Sequence, residues 1–114
     1  MYLKSLTIAT IVFLLAACGS KMMLFSQADA DRGSVKFPGL TVSSLNTGKL
    51  NYETHCQTCH GLISPKAKTE QAWRIMVPKM VTMANKKSPM MAIDSAKQAS
   101  ILQYVVTMST APAK

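Results

Sequence analysis

The chain has 114 residues, room for one small domain, and 13 Lys and Arg against 5 Asp and Glu give it a net charge of +8. Such charge points to acidic partners, but the basic residues are scattered rather than interleaved with aromatic side chains, so no nucleic acid is expected among them.

The chain opens "MYLKSLTIATIVFLLAAC", with Lys4 followed by an apolar run from Leu6 to Ala17. That run is too short to span a bilayer and has the length of a signal-peptide core. Leu15, Ala16, Ala17 and Cys18 resemble the lipobox of bacterial lipoproteins, in which the signal is cut away and the cysteine becomes the lipidated N-terminus. The resemblance implies a signal peptide over residues 1–17, lipidation at Cys18, and an exported protein held at the periplasmic face of a membrane. Gly19, where an Asp would retain the protein at the inner membrane, resembles the outer-membrane sorting pattern. An uncleaved anchor, or a signal peptide with an incidental cysteine, are the alternatives, and all three export the domain. Three cysteines are an odd number for an exported protein; lipidation of Cys18 leaves Cys56 and Cys59 as a pair.

Residues 18–47 contain no sustained period, include Gly33, Pro38 and Gly39, and are rich in Ser, Thr and Asp. They read as a tether, with Phe37 to Leu45 as the part that lies against the domain. No internal repeat appears, which argues against a duplicated module.

The domain is expected over residues 48–110 as three helical segments. The first runs from Gly48 to His60 and stops at Gly61. The second is capped by Thr69, with Glu70 in its first turn, and Trp73, Met76, Val77, Met80 and Met83 recur at helical spacing as one buried face. Pro78 lacks an N–H and crowds the preceding turn, so a kink or an early end is expected near Val77. The third follows Asp94 or Ser95 and places Ile101, Leu102, Val105, Val106 and Met108 on an apolar side. No alternating run long enough for a sheet is present, so the fold class is all-α. A domain of about 65 residues is marginal on burial alone and calls for a staple, metal or cofactor.

The candidate is "HCQTCHG", His55 to Gly61. Four readings compete for Cys56, Cys59 and His60. A disulfide is compatible with export, and a thioredoxin-type redox pair has the same spacing but needs a βαβ pattern that is missing. A structural zinc ion needs a fourth ligand, and the adjacent Cys59 and His60 are awkwardly placed to share one ion. Covalent attachment of one haem uses every position: two thiols at C-x-x-C spacing bond to the porphyrin, and the next imidazole reaches the iron.

"GKLNYETHCQTCHG" resembles the first helix and haem motif of small bacterial monohaem cytochromes c, with Gly48 and Tyr52 at the usual places, and "AIDSAKQASILQYVV" is similar to their last helix. The resemblance covers Gly48 to about Met108. It implies a cytochrome c-like fold of about three helices, thioethers at Cys56 and Cys59, His60 as proximal iron ligand, and Tyr104 packed on the first helix. "TEQAWRIMVPKM" is similar to a subset with a W-x-x-x-V-x-x-M helix, which implies Met80 as distal ligand; "KKSPMMAID" offers Met90 or Met91 instead, after a proline-containing loop. His60 is expected to give its second ring N–H to a backbone carbonyl, with Pro65 the candidate. Trp73 fits either the haem edge or the core.

The expected function is a lipid-anchored periplasmic carrier of single electrons, not an enzyme, whose basic surface meets an acidic redox protein, with Lys66, Lys68, Lys86 and Lys87 as candidate docking residues. Two rivals are a haem protein with an open sixth position for gas or peroxide, and a structural lipoprotein holding a disulfide and no haem.

Overall fold

The computed structural model describes residues 25–57 and 60–113. Four α-helices follow one another there: α1 Gln27–Ser34, α2 Val42–Cys56, α3 Glu70–Lys87 and α4 Ser95–Ser109, with 3-10 turns at Pro65–Ala67 and Pro89–Met91. There is no strand among the described residues, and the architecture is all-α. No helix among them is long and apolar enough to cross a membrane. The signal segment, Cys18 and Cys59 lie outside the described residues.

Each helix starts at a side-chain cap that occupies one of the amide groups left over in a first turn. Thr69 accepts from Ala72 N at 3.1 Å and Asp94 from Lys97 N at 2.8 Å, as their sequence positions predict. Ser26 and Thr41 form two further caps. Ser26 Oγ accepts from Asp29 N while the Asp29 carboxylate accepts from Ser26 N, and Thr41 and Ser44 exchange the same pair of contacts.

These two caps correct the tether expected over residues 18–47. Residues 27–34 are helical, α2 begins at Val42 rather than Gly48, and Phe25, Ala30, Leu40 and Leu45 are core residues. Arg32 fastens α1 to the far end of the chain. Its guanidinium binds Asp29 Oδ1 and donates to the Thr107 carbonyl at 3.1 Å, one of the last carbonyls of α4, where a cation is favoured. The hydrogen bond from the Ser26 amide, with Arg32 adding to it, holds the Asp29 carboxyl below its ordinary value.

The longest interhelical contact is between α2 and α4. It closes at Gly48, where a β-carbon would lie 2.2 Å from the Ser100 carbonyl oxygen and 2.8 Å from Tyr104 Cβ. Only glycine allows the two backbones so near. Around this crossing the rings interlock: Tyr52 meets Trp73 edge-on at 6.1 Å and Tyr104 at 5.7 Å, and Phe25 meets Tyr104 at 5.8 Å. Trp73 is wholly buried, so the core description applies. Burial of the Tyr104 phenol pushes its pKa up to about 12.

Helix α3 continues through Pro78 to Lys87, so of the expected kink or early end near Val77 the early end does not occur. Pro78 is on the solvent side, and Trp73, Val77 and Val81 hold both halves against the core. The lost backbone bond is therefore a local cost that packing outweighs. Met83, expected on the buried face, is 59% exposed; the buried stripe turns to Val81 instead.

Candidate functional site

Helix α2 ends at Cys56 with Gln57 as its C-cap, short of the expected end at His60, and a loop runs from His60 to Ser64. Two aromatic hydrogen bonds anchor that loop. The Tyr52 hydroxyl donates to the Ile63 carbonyl at 2.7 Å and accepts from Ile63 N at 3.1 Å. The Trp73 indole donates to the Pro65 carbonyl at 2.8 Å. Both rings are buried, so the loop hangs from the rigid part of the molecule.

The expected bond from His60 to the Pro65 carbonyl is not made; that carbonyl accepts from the Trp73 indole. His60 Nδ1 instead lies 2.7 Å from the Gly61 carbonyl. A carbonyl only accepts, so this contact requires the proton on Nδ1 and leaves Nε2 with its lone pair available to a metal.

His55, Cys56, His60, Met80, Met83 and Ala84 line one small cleft that is open to solvent. Met80 is half-buried and rests on the core. Among the described residues, then, the cleft unites Cys56, His60 and Met80, three of the residues singled out from the sequence. Met90 is 97% exposed and is not among the residues of this cleft; Met91 borders an adjoining pocket with Thr54, His55, Ala84, Ser88 and Ile93. Asn85 fixes that neighbouring wall through a pair of bonds with one residue, donating to the Ile93 carbonyl at 3.0 Å and accepting from Ile93 N at 2.7 Å. Sequence reasoning missed Asn85, since nothing local marks it.

His55 stands on the wall shared by both pockets. Burial lowers its pKa, Lys97 adds to the effect, and Asp94 opposes it. The shift favours its uncharged form.

The cleft thus brings together the Cys56 thiol, the His60 imidazole with one nitrogen on the Gly61 carbonyl, and the Met80 thioether of α3. No cluster of three or more His, Cys, Asp or Glu side chains able to hold a bare metal ion occurs among the described residues. Comparison with protein families, with curated proteins and with solved structures finds no match to this chain.

Proposed function

We propose that the chain is an exported, lipid-anchored c-type haem protein that passes single electrons between redox partners. In this reading Cys18 carries the lipid, Cys56 and Cys59 hold the porphyrin, and His60 and Met80 are the axial ligands. The observation that carries it is the cleft itself, in which Met80 shares walls with Cys56 and His60 while Met90 is in solvent.

A haem ligated by His and Met supplies a one-electron couple with both axial positions filled, which suits transfer rather than substrate chemistry. The protein's share is to keep the ligands still. Gly61 orients the His60 ring, Tyr52 and Trp73 hold the loop behind it, and Val77 and Val81 seat the helix that bears Met80. Met80, Met83 and Ala84 give the cleft an apolar wall opposite its histidines.

Oxidised and reduced absorption spectra of the mature protein test the reading. The expected result is a haem spectrum with the weak long-wavelength band of an iron–thioether bond, lost in Met80→Ala and kept when Met90 and Met91 are both replaced by alanine. Loss only in the double variant would move the ligand to the loop. Haem without that band, together with ready carbon monoxide binding, would favour the open-site protein. A colourless mature chain would leave the disulfide lipoprotein.

A further inference from the structure

We propose that the end of the fold at the C-terminus of α4 is a membrane-docking surface for anionic lipid headgroups, which turns the Met80 cleft away from the bilayer. The inference rests on the lipid-anchor half of the proposed function and is independent of the haem.

Its basis is the length of chain left outside the fold. Phe25 is 5% exposed and packs edge-on against Tyr104, so it belongs to the folded body. Cys18 is seven residues upstream, and a fully extended chain of that length reaches at most about 25 Å. A tether continuing to residue 47 would let the domain turn freely above its anchor; one that stops at Phe25 keeps a single end near the headgroups.

That end has the chemistry of a bilayer contact. Phe25, Lys66, Tyr104 and Met108 border one shallow depression, and Lys66 is exposed there with its ammonium on the Pro112 carbonyl. Lys68 is exposed two residues on. Val35 is 83% exposed and follows Gly33, whose β-carbon position would meet Thr107 at 2.5 Å, so it belongs to the same end of α4. Lys36, next to Val35, is paired with Glu70, which leaves exposed Val35, Lys66 and Lys68 to meet the boundary between headgroups and acyl chains.

The cleft lies at the other end. Ile93, beside the Asp94 cap of α4, shares a pocket with His55 and Ala84, and those two residues also line the Met80 cleft. Asp94 and Met108 are about 21 Å apart along a helix axis. Anchored at Phe25, the domain presents the cleft and the neighbouring Lys86 and Lys97 to soluble or facing partners.

Lysine footprinting tests the orientation. The mature lipidated chain on vesicles of phosphatidylglycerol and phosphatidylcholine, and the same residues exported without lipid, are treated with a membrane-impermeant acylating reagent and mapped by mass spectrometry. The expected result is acylation of Lys66 and Lys68 slowed roughly threefold or more on vesicles, with Lys86 and Lys97 unchanged. Equal slowing at both ends, or protection centred on Lys86 and Lys97, overturns the orientation while leaving the anchor intact. Absence of lipid mass on Cys18 overturns the anchor and the orientation together, whereas a colourless protein with the expected footprint overturns the haem reading alone.

Discussion

The two ends of α4 are held by different means. From Ser100 to Thr107 the helix is enclosed by a glycine crossing, two ring-to-ring contacts at Tyr104 and the Arg32 bridge from α1. Towards its first turn the molecule opens into the cleft walled by Met80 and Met83, where Met83 is largely in solvent. Interlocked aromatics fix distances, whereas unbranched thioethers adapt to what they touch. The comparison teaches that this small domain concentrates its interlocked packing at one end and leaves the other open, with the Tyr52 and Trp73 hydrogen bonds joining the two.

The largest expected effect is at the join. Trp73→Ala removes a wholly buried ring and the hydrogen bond to Pro65, and is expected to cost about 4 kcal/mol in urea unfolding. A loss below about 1 kcal/mol would mean the aromatic end does not carry the fold. Gly48→Ala comes next, at about 2 to 3 kcal/mol, because the added carbon meets the backbone carbonyl of Ser100, which has no rotamer to escape into. Unchanged unfolding midpoints there would break the close-crossing account.

A pH profile sharpens the same contrast. Burial raises the Tyr104 pKa from 10.0 to about 12, so the folded state holds the phenol proton more tightly than the unfolded chain. The stability this contributes is complete below pH 10 and is lost as the pH rises from there through about 12. Tyr104→Phe is therefore expected to flatten the alkaline limb of the stability curve; an unaltered limb would show that another group sets it. Asp29 acts in the opposite sense. Its depressed pKa makes its contribution present above its ordinary value of 3.8 and lost as the pH falls through the folded value, so Asp29→Asn should soften acid unfolding. The smallest effect belongs to the open end: Met83→Gln and Met90→Gln are each expected to stay within about 0.5 kcal/mol of the parent. A larger loss at Met83 would show that the cleft wall supports the fold after all.

How much of this was legible in the sequence depends on the range of the contacts. The caps at Thr69 and Asp94 were readable because each is a bond to an amide three residues on. Helix α1 was not read, although Ser26 and Asp29 carry the capping-box spacing that could have revealed it. Its buried residues are only Ala30 and Gly33, too small to make an apolar stripe. Pro78 misled for the converse reason: its local penalty is real, but a buried stripe on the other side of the helix outweighs it. At the site, the motif spacing announced Cys56, Cys59 and His60, while nothing local distinguished Met80 from Met90 or assigned the Pro65 carbonyl to Trp73.

The sequence by itself determined the helical class, the starts of α3 and α4, and the residue types of the motif, since periodicity and capping act within a turn or two of the chain. Only the tertiary structure decided that α1 joins the core, that Met80 and His60 share a cleft, and that Arg32 reaches Thr107 from 75 residues away. Such contacts depend on how the helices cross, and the crossing is set by steric fit at Gly48 and Gly33 rather than by any pattern along the chain.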